Sequence, residues 1–154
     1  MGTRGTITII FNGKKFTVYN HYDSYPMGLG IHLINELIEL LKTYTIHELI
    51  VKFNEIKVID EDEPTSLDIT KLQKFTNLTV STQSTTDWYC LLHKCQGSIA
   101  KILESGYALQ YDGHDEYNYI INFDDNNFLC KEAGWKTSLE LSSLEKLCLR
   151  NSLP

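Results

Sequence analysis

Asn12-Gly13 separates two runs, Thr6 to Phe11 (TITIIF) and Lys15 to His21 (KFTVYNH), both rich in β-branched and aromatic residues. An Asn-Gly pair in that setting takes a type I′ turn, whose two central residues both need positive φ. The chain therefore starts with an antiparallel hairpin. Every helix that follows has to find a place on the sheet this hairpin begins.

The first helix is predicted from about Gly30 to Thr43. Ile31, Leu33, Ile34, Leu37, Ile38, Leu40 and Leu41 fall on one broad face, opposite His32, Asn35, Glu36, Glu39 and Lys42. Glu48 to Ile59 (ELIVKFNEIKVI) reads as one or two strands turning at Asn54-Glu55, before a solvated loop at Asp60 to Pro64. Thr65 and Asp68 form a capping-box start for a short helix reaching about Phe75.

Asn77 to Thr82 reads as a short strand, and Ser84 to Thr86 as a polar linker. A helix from about Asp87 to Ser105 follows, closed by Gly106. Its apolar face is Trp88, Leu91, Leu92, Cys95, Ile99, Ile102 and Leu103. Tyr107 to Tyr111, Tyr117 to Phe123 and Phe128 to Lys131 then read as a meander, the last two joined by a turn at Asp124 to Asn127. A strand at Trp135 to Leu141 and a terminal helix capped by Ser142 with Glu145 complete the pattern. Strands and helices come in blocks, so the predicted class is α+β. One layered domain, 1–154, holds a largely antiparallel sheet covered by helices.

The 154 residues, 42% of them hydrophobic and 22% charged, suit a chain that buries its own core. A net charge of −6 and the lack of any basic stripe argue against a nucleic-acid partner. No segment reads as a signal peptide or membrane span, so the expected setting is intracellular. There Cys90, Cys95, Cys130 and Cys148 are expected as reduced thiols, and the Asn77-Leu-Thr79 sequon carries no meaning.

Four motifs invite chemistry. Cys90, His93 and Cys95 resemble zinc ligands, but on a continuous helix Cys95 faces the core while Cys90 and His93 point away. Asp112 to Glu116 and Asp124 to Asn127 lack calcium-loop spacing and read as turns. The Met-Gly-Thr-Arg-Gly-Thr start fits a short acylation pattern that chance often produces. No cofactor or metal is expected.

The fourth motif is Tyr19 to Gly30 (YNHYDSYPMGLG). Strand alternation places Tyr19, His21 and Asp23 on one face, where the Asp23 carboxylate would orient the His21 imidazole. Tyr25-Pro26 ends the strand, and Gly28 and Gly30 allow close backbone approach as the first helix begins. A helix start offers N–H groups to an anion. The hairpin returns the end of its second strand to Thr3 and Arg4. The candidate binding set is Thr3, Arg4, Asn20, His21, Asp23, Tyr25, Gly28 and Gly30. The competing reading is that the tyrosines pack, the Pro and Gly serve the turn, and His21 is a satisfied polar residue.

Gly2-Thr-Arg-Gly5 together with Asn20 to Gly30 resembles a family of small proteins of large DNA viruses, phages and fungi. Tyr117-Asn-Tyr-Ile-Ile-Asn-Phe123 is a fainter match. The resemblance implies a viral or similar protein of the host cytoplasm or the virion, and implies no particular activity. The opening strand, Gly turn, second strand, Asn20 and Asp23 also resemble N-terminal nucleophile hydrolases. That likeness implies a layered fold, although no Cys or Ser stands at the start and only Thr3 would serve as nucleophile.

The expected function is non-catalytic binding of a protein partner or small anionic ligand at the hairpin end and first helix start. Arg4 would pair with a negative group and Tyr25 would stack. A homo-oligomer is among the partner forms. The alternatives are a hydrolase with His21 as general base oriented by Asp23, and a virion assembly protein.

Overall fold

A computed structural model describes residues 3–60, 62–77, 87–113, 115–132 and 135–140 of the chain. The expected strand over Asn77 to Thr82, the linker at 84–86, Cys148 and the terminal helix at Ser142 lie wholly or mostly outside these residues.

The hairpin forms as the sequence requires. Strands β1 (Gly5–Phe11) and β2 (Lys14–Asn20) pair antiparallel, with Phe11 opposite Lys14. Asn12 and Gly13 both hold positive φ, 49° and 71°. Asp124 fixes the turn from a distance: its carboxylate accepts from Asn12 N at 2.8 Å and Gly13 N at 2.9 Å.

A π-helical turn, Pro26–Gly30, leads into α1 (Ile31–Thr43), which is followed by α2 (Ile46–Asn54) and β3 (Lys57–Ile59). Helix α2 corrects the first half of the stretch expected as strands over Glu48 to Ile59, while β3 forms beyond the expected turn at Asn54-Glu55. Thr45 Oγ1 accepts from Glu48 N and Glu48 Oε1 accepts from Thr45 N, a capping box that nucleates a helix. Leu49 and Phe53, four residues apart, then reach the core together. The β-branched content of the segment suggested a strand, but cap and periodicity outweigh that weak preference.

Helix α3 (Ser66–Lys71) has the expected Thr65–Asp68 capping box and passes into a 3₁₀ turn at Gln73–Phe75. The long helix expected over Asp87 to Ser105 is broken. It consists of α4 (Trp88–Leu91), a 3₁₀ turn at His93–Cys95, and α5 (Ile99–Ser105). The break lies at Gly97, with φ 75°, where an added Cβ would stand 2.9 Å from Asn20 Oδ1. The end of β2 thus packs closely against the Gly97 turn. Gly106, φ 78°, caps α5 as expected.

Strand β4 (Tyr107–Leu109) corrects the expected meander. It pairs parallel with β3 in a separate two-stranded sheet. The segment after it crosses to β2, where Tyr111 N donates to Thr17 O at 2.8 Å. Strands β5 (Tyr117–Asn122), β6 (Asn127–Glu132) and β7 (Trp135–Glu140) complete a main sheet of order β2-β1-β5-β6-β7. All its pairings are antiparallel except β1 with β5. The class is α+β, a mostly antiparallel sheet with helices.

Alternation decides which face the helices cover. Ile7, Ile9 and Phe11 of β1, Phe16 and Val18 of β2, and Tyr119 and Ile121 of β5 join the core with Leu33 and Leu37 of α1. The other face carries a polar ladder, with Thr8 and Thr17 hydroxyls 2.7 Å apart and Thr6 Oγ1 donating to Asn118 at 2.7 Å.

Candidate functional site

The Tyr19 to Gly30 stretch folds around Ser24, which is fully buried. Ser24 N donates to Thr3 O at 3.0 Å, so the first residues and the Tyr-Pro corner do meet. Ser24 O accepts from the Tyr119 hydroxyl at 2.7 Å, and Ser24 Oγ accepts from Asn20 Nδ2 at 2.9 Å. Asn20 Nδ2 also donates to Tyr22 O at 2.6 Å. Each of these bonds closes inward, as a structural knot does.

The other members of the expected set behave accordingly. Strand β2 ends at Asn20 and Asp23 sits at φ 53°, so alternation stops short of Asp23. His21 Nδ1 is hydrogen-bonded to the Tyr19 hydroxyl at 2.7 Å, in place of the expected Asp23 carboxylate. Asp23 itself is exposed, and its carbonyl accepts from Leu29 N. Gly28 N and Gly30 N, expected to face an anion, both donate to Tyr25 O, at 2.9 and 3.5 Å. Gly28 is required there, since an added Cβ would stand 2.4 Å from Asp23 O. Arg4 and Tyr25 are exposed beside this corner.

A concave feature with a largely apolar lining lies on the other side of β2. A cavity of about 250 Å³ opens between the end of β2, the 107–111 segment, and the broken α4–α5 region. Val18, Leu92, Ile102 and Ala108 give it an apolar wall. Tyr19 and Tyr111, with ring centroids 5.0 Å apart, stand at it together with Tyr89, Gln96 and Gln110. No charged side chain belongs to the lining among the described residues.

Electrostatics keep this lining neutral. Burial raises the Tyr19 and Tyr111 hydroxyls above the ordinary phenol range, with Asp115 raising Tyr111 further. Burial pushes the Cys95 thiol up to about 11. Next to the lining, His93 packs on Tyr89 at 5.3 Å, and burial, then the charge of His21, lowers its pKa. An uncharged wall of this kind suits an uncharged guest.

Cys90 departs from expectation too. It is buried, with Sγ donating to Asn77 O at 2.8 Å, because the short α4 is covered on more than one side, Trp88, Cys90 and Leu91 all being buried. Of the cavity-lining residues, the Tyr107-Ala-Leu-Gln-Tyr111 run carried a readable signal, two aromatics spaced for one face of an extended segment. Gln96 and Tyr89 carried none, since only the helix break brings them to β2.

No protein-family model matches the chain, and neither do any curated protein or solved structure. No helix among the described residues is long and apolar enough to cross a membrane.

Proposed function

We propose that this chain is a non-catalytic binding protein, and that its ligand is small, uncharged and largely apolar. The observation that carries this reading is the cavity beside β2, with an apolar wall and with tyrosine and glutamine residues completing its lining. Binding pockets combine an apolar body with a few polar groups that set orientation. A cavity of roughly 150 Å³ accepts benzene; at about 250 Å³ this one accepts a guest of one to two rings or one large side chain. Its neutral lining favours such a guest over the small anion.

The test uses N-phenyl-1-naphthylamine, an uncharged fluorophore that brightens in apolar surroundings. The expected result is saturable, equimolar enhancement that weakens in Ala108→Leu, which fills the cavity from its wall. Emission unchanged from that in water, or enhancement indifferent to Ala108→Leu in a folded variant, overturns the reading.

A protein partner at the Tyr-Pro corner is the second reading. It is favoured by Tyr22 and Met27, which are 60% and 77% exposed there. The viral setting, in host cytoplasm or virion, rests on the likeness carried by Gly2 to Gly5 and Asn20 to Gly30.

A further inference from the structure

The main sheet ends at β2, and an edge strand presents every second residue's N–H and C=O outward. With Phe11 opposite Lys14 across a two-residue turn, the outward residues near the end of β2 are Thr17 and Tyr19, followed by His21 just beyond it. Thr17 is covered: its N–H donates to Gln110 Oε1 at 3.1 Å, and its carbonyl accepts from Tyr111 N at 2.8 Å. His21 N is covered as well, donating to Gln96 Oε1 at 3.1 Å. Between them, the main-chain N–H and C=O of Tyr19 have no hydrogen-bond partner among the described residues.

Their direction is set by their neighbours. Gln110 and Tyr111 on one side and Gln96 on the other all line the cavity. Val18 and Tyr19, whose side chains leave opposite faces of the strand, both line it too. A cavity reaching both residues faces the strand's edge. Tyr19 therefore turns one main-chain donor and one acceptor toward an apolar hollow.

We propose that the ligand is peptide-like: one residue of an extended segment pairs with Tyr19 as an antiparallel rung and places an apolar side chain in the cavity. In such a rung two residues exchange both N–H···O bonds, which is the pair Tyr19 offers. Main-chain bonds then provide attachment, and the hollow selects the side chain. Tyr19 and Tyr111 give an aromatic guest ring a partner surface. The glutamines define the length of the gap. They leave room for one residue, so a long added strand is excluded and a short segment or chain end is favoured. This inference rests on the cavity reading above and names the class of ligand.

The experiment compares two probes on the unaltered protein, so that folding is the same in every arm. N-acetyl-phenylalanine N-methylamide supplies the ring, the donor and the acceptor. Its analogue methylated on the phenylalanine nitrogen keeps the ring and loses the donor to Tyr19 O. The first is expected to bind roughly tenfold more tightly, the effect of one buried hydrogen bond. It should also move the Tyr19 amide resonance downfield in a ¹H–¹⁵N spectrum. Equal binding of the two probes with an unmoved Tyr19 amide, while N-phenyl-1-naphthylamine still binds, overturns the peptide inference alone. Failure of all three compounds overturns the cavity reading with it.

Discussion

The Tyr107 hydroxyl donates to Asp68 Oδ1 at 2.6 Å, tying α3 to the strand that helps wall the cavity. That bond is the largest reason the Asp68 carboxyl is held down at about 2, with Thr65 N–H adding to it. The same bond, with burial, pushes Tyr107 up to about 12. Trp88 packs on Tyr107 with ring centroids 5.8 Å apart, adding an aromatic contact at the junction.

The pH dependence follows with its sign. A depressed carboxyl contributes stability above its unfolded value near 3.8, and that contribution is lost as the pH falls toward about 2. A raised phenol contributes fully below its unfolded value of 10.0, and the contribution fades as the pH climbs toward about 12. The urea midpoint, followed by far-ultraviolet circular dichroism, should carry both limbs from this pair. In Asp68→Asn it should drop at neutral pH and lose the pair's share of the acid limb. Parallel curves for the two proteins would refute the coupling.

Gly5→Ala tests the knot. An added Cβ at Gly5 would lie 2.6 Å from Ser24 Cβ and 2.7 Å from Tyr117 O, and both neighbours are held in place. The overpacking is expected to cost about 1–3 kcal/mol. Each kcal/mol lowers the thermal midpoint by roughly 2–4 °C in a chain of this size. An unchanged midpoint by differential scanning calorimetry would show that Ser24 is free to move.

Glu36 of α1 caps α5 from outside. Its carboxylate accepts from Ser98 Oγ at 2.6 Å and from Ile99 N at 2.8 Å. Glu36→Ala should cost about 1–2 kcal/mol, in the range of a lost cap, and Glu36→Gln less. Urea titration gives the energies. Faster amide exchange at Ile99 should accompany them, and unchanged exchange would place the cap elsewhere.

Cys95 should resist alkylation. With its thiol raised from 9.0 to about 11, roughly a hundredfold less thiolate is present at neutral pH. Iodoacetamide labelling followed by mass spectrometry should be far slower at Cys95 in the native protein than in urea. Comparable rates would show the thiol exposed.

Much of this fold was legible because it rests on local chemistry. Asn12-Gly13 specified the hairpin, Thr65 with Asp68 specified α3, and the α1 stripe named Leu33, Leu37 and Leu41 as the buried side. The α2 segment is equally local, but its β-branched residues imitate a strand while the Thr45–Glu48 cap specifies the helix. The candidate site was legible in part. Thr3 and Ser24 meet as the hairpin implied, yet the groups there bond to one another, and the hollow forms across β2 from them.

What the sequence determined by itself was the set of turns, caps and apolar stripes, since each depends on residues within about one turn of one another. Only the tertiary structure decided that Asn20 would stand against Gly97, inside a segment that periodicity alone would have continued as helix. Only it decided that Tyr107–Leu109 would leave the main sheet to pair with β3. Those choices depend on packing between residues far apart in the chain, and together they carry Gln96, Tyr111 and Tyr19 to one cavity.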